Sequence, residues 1–340
     1  MADTFNYRID HHGSLVRPAA FHAADASPEA VSEAVKEAVA FQRKLRSTVV
    51  TDGDFPREDF RSAVFDAVSG FRRTEEVGPD GLTRWVAESL PKANGPLLAD
   101  WAGRLAELTV IAPKASLPSP AYLAATCFDP GSAASGGPAS ARELGEALAE
   151  IIHAEIELLV SRGVRLIQLN NPLLLAHTAA EPPAPGALSF EDALAIEALA
   201  VRLDERPEGV RIGLCPGWTA PAEVDRARAE RLYGDIPVDR WILPYLNGTA
   251  AELDLLRSLP EDRDVCLGVV DPAASGVDDI DTVMARIDAA AALKDLEDMA
   301  LSPSRGFADS AAHPLSNAEA QRLKLIHIET LARYCWGNEF

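Results

Sequence analysis

Polar chemistry is concentrated in a few short stretches of the chain. Asp10-His11-His12-Gly13-Ser14 is followed closely by Arg17. Asp52-Gly53-Asp54 is a second stretch and Asn170-Asn171 a third. Cys215 precedes Pro-Gly-Trp218, Tyr245 lies near Asn247, and Ser304 adjoins Arg305. Histidine can give or take a proton near neutral pH. On an extended strand His11 and His12 point to opposite sides, so only one can face a shared pocket. Metal ligation, general acid work and a structural hydrogen bond all suit it. Asp52 and Asp54 fall on one strand face. Two close carboxylates can raise one pKa for acid–base work, bind an amine, or cap a loop. Cys215 is a nucleophile or ligand only as a thiolate, and otherwise a packing residue. Trp218 can stack on a planar substrate or close the core. Cys127, Cys266 and Cys335 read as packing residues. Ser14, Arg17, Asn170, Asn171 and Tyr245 offer hydrogen bonds to a substrate. Arg305 is a fixed cation with a planar fork, suited to a carboxylate or to an ion pair with Asp52, Asp54 or Asp271.

Each stretch closes a short β-rich run that gives way to a helical pattern. The runs span residues 5–14, 47–54, 108–116, 164–171, 210–218, 240–248, 264–272 and 298–307. Between them, Val31, Val35 and Val39 mark one helical face. Ser27-Pro28 reads as an N-cap with proline at the first helical position. Ser189 with Asp192, and Ser316 with Glu319, read as capping boxes, the latter opening a final helix over 317–334. Eight alternations predict an α/β protein, a (β/α)8 TIM barrel forming one domain over 1–340. An open doubly wound sheet fits less well, because no GxGxxG follows the first run. In a barrel the strand ends converge on one mouth, which gathers the stretches above into one pocket. Insertions at about 56–101, long enough for two helices, and at 128–140, rich in Gly, Ser and Pro, leave from that same end. The second reads as a lid or a linker.

Composition narrows the partners. There are 52 Asp+Glu against 32 Lys+Arg, a net charge of −20. That balance repels nucleic acid and anionic lipid. No apolar run approaches the roughly 18 residues of a membrane helix. Residues 1–10 show no secretory signal. The four cysteines are widely spaced, which fits a reduced cytoplasm. A small-molecule substrate is the expected partner, with a homodimer as the candidate assembly.

Several motifs occur together in a recognisable order. They are Asp10-His11-His12-Gly13-Ser14 with Arg17-Pro18, Thr51-Asp52-Gly53-Asp54-Phe55, Leu117-Pro118-Ser119-Pro120, Gln168-Leu169-Asn170-Asn171-Pro172, and Leu301-Ser302-Pro303-Ser304-Arg305-Gly306-Phe307. Over nearly its whole length the chain resembles the catalytic barrel of cobalamin-independent methionine synthase and its short stand-alone homologues, in the superfamily of uroporphyrinogen decarboxylase. The resemblance implies a barrel enzyme of methyl transfer, from a folate to homocysteine in the parent reaction. It also implies catalytic zinc, bound by a His-x-Cys pair after the fifth strand, a Glu after the sixth, and the Cys of LSPxCGF. Here those positions read Gly213-Leu214-Cys215, Pro244 and Arg305. One ligand in four survives, too few to hold zinc. The expectation is an enzyme without a metal cofactor, zinc at a relocated site of His11, His12, Asp52 and Asp54 being the competing reading. The family's acidic substrate-binding pair has become Asn170-Asn171, and its Glu has shortened to Asp54. A neutral or anionic substrate met by Arg305 suits that change. The remaining readings are a lyase, isomerase or decarboxylase step with His11, His12, Asp52 or Asp54 as acid and base, a Cys215 thiolate, or a ligand-binding barrel without turnover.

Overall fold

The computed structural model describes residues 7–18, 27–78, 81–133, 136–183 and 186–338. The elements in chain order are α1 (Pro28–Lys44), β1 (Val49–Val50), α2 (Ser62–Phe65), β2 (Val68–Val77), β3 (Thr83–Ala93), α3 (Ala99–Leu108), β4 (Ala112–Pro118), α4 (Pro120–Cys127), α5 (Ala141–Ser161), β5 (Leu166–Asn170) and α6 (Phe190–Val201). They continue with β6 (Arg211–Cys215), α7 (Arg226–Asp235), β7 (Arg240–Pro244), α8 (Ala250–Arg257), β8 (Asp264–Val270), α9 (Ile280–Ala291), β9 (Met299–Pro303), β10 (Ala308–Ser310), β11 (His313–Pro314) and α10 (Ala318–Trp336). Seven strands form one curled parallel sheet in the order β1-β4-β5-β6-β7-β8-β9.

Residues 7–15 close the gap between the two edges of that sheet. Ile9 bridges Leu301 of β9 in parallel, and Ser14 bridges Gly53 just beyond β1. The Asp10 N–H donates to the Leu301 carbonyl at 2.9 Å, and the Leu15 N–H to Gly53 at 3.0 Å. The first run therefore serves as the eighth barrel stave through isolated bridges rather than a regular ladder. Gly13, at a φ of +147°, departs from strand geometry within this run. Residues 5 and 6 of that run lie outside the described residues.

Strand register separates two sets of side chains. Leu117, Leu169, Leu214, Leu243, Leu267 and Leu301 alternate outward and join the main core with the surrounding helices. The opposite set faces the barrel axis. At one level it is apolar, with Tyr7, Val49 and Leu166 packed together. Near the middle it is charged: Lys114 Nζ donates to Asp10 Oδ1 at 2.6 Å, and Arg240 stands 3.6 Å from Asp10 and from Asp264. Burial alone would raise the Asp10 pKa, but Lys114 and Arg240 hold the carboxyl below its ordinary value.

Three local expectations are corrected. The 56–101 insertion holds the short α2, the antiparallel hairpin β2–β3 and the start of α3, rather than two helices. Phe71, Trp85 and Val86 favour a strand there, and Phe65 stacks on Trp85 at 4.4 Å. The last helix is capped by Asn317, whose side chain accepts from Ala320 N–H, rather than by Ser316. The eighth run ends as a strand at Pro303, and residues 308–314 turn back as the small hairpin β10–β11.

Glu155 of α5 locks the hairpin's exit to the barrel. Its carboxylate accepts the N–H groups of Leu97, Leu98 and Ala99, at 2.7–2.8 Å, and so caps α3 from outside. Glu155→Ala leaves these buried donors unpaired. The expected cost is about 2–4 kcal/mol, read as a fall in the urea midpoint. An unchanged midpoint would mean that water replaces the carboxylate without loss.

Candidate active site

The mouth of the barrel opens into a cleft with His12, Asp54, Asn170, Trp218 and Arg305 among its walls. Ser14 and Arg17 also line it. His11, Asp52, Asn171, Cys215 and Tyr245 do not. Phe60 and Leu82 of the insertion and Asp309 of β10 complete it. The sequence marks the insertion as lying at the mouth but carries no signal for which of its residues turn inward.

Asp54 sits where a tight turn leaves β1. Gly53 and Asp54 both have positive φ, +73° and +58°. That is ordinary for glycine and strained for aspartate. Arg17 holds the strained turn, donating to the carbonyls of Asp54 (3.0 Å), Phe55 (3.2 Å) and Arg57. Arg57 Nη2 donates to Asp54 Oδ1 at 2.7 Å and to both Asp52 oxygens at 2.6 and 2.8 Å. The Asp54 pKa is nevertheless raised, because burial outweighs Arg57 and Asp52 adds repulsion. A raised carboxylate is a better base than an exposed one. Asp52 faces a smaller chamber behind Asp54, with Arg57 and Lys114.

His12 and His11 diverge as alternation requires. His12 enters the cleft with Gln168 Nε2 at 3.3 Å from its Nδ1. The same amide nitrogen donates to Asn170 Oδ1 at 2.7 Å, which assigns Nδ1 as acceptor and Nε2 as the protonated nitrogen. Nε2 is buried, and among the described residues it has no well-formed hydrogen bond, with the Pro303 backbone beside the ring. Burial, then Lys114, pushes the His12 pKa down to about 3. His11 Nε2 instead meets Ser47 Oγ at 2.8 Å, and burial pushes its pKa down to about 4.

The two asparagines part in the same way. Asn170 lines the cleft and donates to Ser116 Oγ at 2.6 Å. Asn171 turns behind the wall to Glu197 Oε1 at 2.8 Å. Burial pushes Glu197 up to about 7. Cys215 packs with Ile242, Cys266 and Ala300 beneath Trp218. Burial pushes its thiol up to about 12, so it is a thiol and not a thiolate at neutral pH. Tyr245 is buried and donates to the Arg286 carbonyl at 2.8 Å. Ser14 Oγ donates to the Ala308 carbonyl at 2.9 Å. A Cβ at Gly306 would displace Ser14 Oγ from this bond.

Arg305 lies over the Trp218 ring, 4.6 Å from its centroid. Phe60 meets the same indole edge-on at 6.2 Å. The counter-ion of Arg305 is Asp309, rather than Asp52, Asp54 or Asp271. At the four positions for which the sequence resemblance implies zinc ligands stand Gly213, Cys215, Pro244 and Arg305. Two of these bring no donor side chain and Arg305 brings a cation, a set that does not fit zinc. Among the described residues no three His, Cys, Asp or Glu side chains are grouped to hold a metal. The alternative set is not assembled either, with His11 on Ser47 and both aspartates on Arg57.

Comparison with known proteins places the fold. No model of a protein family matches the chain. The uncharacterized protein YxjH of Bacillus subtilis is 26% identical over 375 residues, covering 97% of this chain and 95% of that protein. YxjG of the same organism is 24% identical over 368 residues, with the same coverage of 97% and 95%. A Listeria monocytogenes protein assigned as a candidate vitamin-B12-independent methionine synthase matches with a TM-score of 0.74 at 21% identity, covering 98% of each chain. A B12-independent methionine synthase from Shewanella, in complex with selenomethionine, matches at 0.75 and 16%, covering 96% of this chain and 97% of that one. A Methanosarcina mazei methyltransferase matches at 0.57 and 10%, covering 97% and 96%. The fold is that of the methionine-synthase-like TIM barrels.

The buried groups fix the response to pH. Both histidines have folded pKa values below 6.5, so the unfolded chain binds protons first and they favour unfolding as pH falls from 6.5 towards 4. Glu197 has the opposite sign, its raised pKa favouring the fold as pH falls from about 7 towards 4.5. By nitrogen-15 NMR, the His11 and His12 rings are expected to stay neutral down to about pH 5. A midpoint near 6.5 for either would show that it is solvated, contrary to this geometry.

Proposed function

We propose that the chain is a zinc-independent barrel enzyme of the methyl-transfer kind, acting on a small polar or anionic substrate. The observation that carries this is the single cleft holding a raised Asp54 carboxylate, a neutral His12 and the Arg305 guanidinium. Asp54 takes the proton of the acceptor group as the acceptor's new bond to the transferred methyl carbon forms and the bond from that carbon to the methyl donor breaks, the electron pair leaving with the donor. His12 Nε2–H and Asn170 orient polar atoms of the substrate, and Arg305 stabilises its negative charge. Cys215, as a buried thiol, has no nucleophilic part. We also propose a cytoplasmic protein that works without a nucleic-acid or membrane partner.

The methyl-transfer kind is supported by likeness of fold to the Listeria, Shewanella and Methanosarcina proteins. That likeness also keeps a second reading, methyl transfer from a folate to homocysteine with zinc. The loss of donors at Gly213, Pro244 and Arg305 favours the first.

Elemental analysis separates them. The purified protein is expected to carry less than about one tenth equivalent of zinc. Near one equivalent, with homocysteine methylation lost to a chelator, the second reading would stand. On whichever small acceptor shows turnover, Asp54→Asn should lower kcat by about 10²-fold or more. Cys215→Ser should change it by less than about threefold, as a packing residue should. Loss of turnover in Cys215→Ser, with full activity in Asp54→Asn, would overturn the acid–base assignment.

A further inference from the structure

Each carboxylate lining the cleft has an arginine partner, and Arg57 serves both Asp52 and Asp54. Asp54 is paired to Arg57, Glu58 to Arg73 and Asp59 to Arg61, at 2.7, 2.9 and 2.8 Å. Arg17 is committed to three backbone carbonyls. Arg305, like Arg57, is bonded through Nη2 alone and reaches only one oxygen of Asp309, but unlike the buried Arg57 it is open to solvent. Among the described residues its Nε and Nη1 have no hydrogen-bond partner. The side chains of Arg305 and Asp309 remain 25% and 35% exposed, so solvent and solutes reach the pair.

Two features make this pair exchangeable. Trp218 supports the guanidinium from its flat side, so Arg305 keeps its place when Asp309 leaves. Asp309 lies on the small β10–β11 hairpin, joined to the barrel chiefly through Ser14 and Phe307. A guanidinium binds a carboxylate best through two parallel N–H groups, a geometry that Asp309 does not achieve.

Resting on the function proposed above, we propose that the substrate is a monocarboxylate whose carboxylate takes the Arg305 fork against Trp218, with Asp309 as its built-in competitor. Four carboxylates line the cleft: Asp54, Glu58, Asp59 and Asp309. Arg17 and Arg305 are the lining guanidinium groups, of which Arg305 keeps N–H groups for a ligand; against four carboxylates and a net charge of −20 this favours a singly charged anion over a dianion. A phosphate dianion is disfavoured for that reason. An alkylammonium would meet Arg305 itself.

Matched probes test the proposal. Butyrate, butanamide, butylamine and inorganic phosphate are titrated into the full-length protein. The indole N–H signal of Trp218, assigned by its loss in Trp218→Phe, reports binding. Butyrate should shift it saturably, and the other three should bind at least about tenfold more weakly, 1.4 kcal/mol or more. Asp309→Asn should tighten butyrate by about tenfold, and Arg305→Lys should weaken it by as much. Thermal melts confirm that each variant is folded. Weaker or unchanged butyrate binding in Asp309→Asn would overturn the competitor role, and tighter binding of phosphate or butylamine would overturn the monocarboxylate. If butyrate binds as stated and no turnover is found, the anchor stands and the enzymatic reading fails. Turnover of an uncharged substrate without butyrate binding would leave that reading standing and remove the anchor.

Discussion

The Asp10 carboxylate, buried on the barrel axis between Lys114 and Arg240, is the constraint on which the rest depends. It ties the irregular first stave to β4 and β7 across the interior. A lone charge there would be prohibitively costly, so the three side chains fix one another's positions. With Asp10 pinned, alternation sends His11 to Ser47 and His12 into the cleft. The cation that neutralises Asp10 also helps keep His12 uncharged.

A second economy operates at Asp54. Its left-handed backbone conformation is unfavourable by itself and is held by both Arg17 and Arg57. Arg17 works through backbone carbonyls and Arg57 through the carboxylate. The sequence marks Arg17 as a substrate contact; the fold puts it in the cleft wall and spends its guanidinium on shaping the turn. One guanidinium sets the conformation and the other limits how far burial can raise the pKa.

At the end of the last barrel strand, Arg305 sets a fixed organic cation at the cleft. Unlike a Lewis-acid metal, a guanidinium cannot accept an electron pair; it stabilises charge by field and by directed hydrogen bonds. Trp218 and Asp309 give it a seat and a counter-ion, so the mouth has been rebuilt rather than emptied.

The parallel barrel, its strand ends and the meeting of His12, Asp54, Asn170 and Arg305 at one mouth were legible in the sequence. Buried parallel strands are written as short apolar runs, and polar residues at their ends have nowhere else to go. Alternation also announced that His11 and His12 must part. The sequence did not reveal the β2–β3 hairpin, the turn of Asn171 towards Glu197, or the choice of Asp309 as partner for Arg305. These depend on contacts between residues far apart in the chain, or on loop paths that have no period to read. Local pattern determines which residues reach the mouth; only tertiary packing, by burying some carboxylates and pairing others, decided which of them remain chemically available.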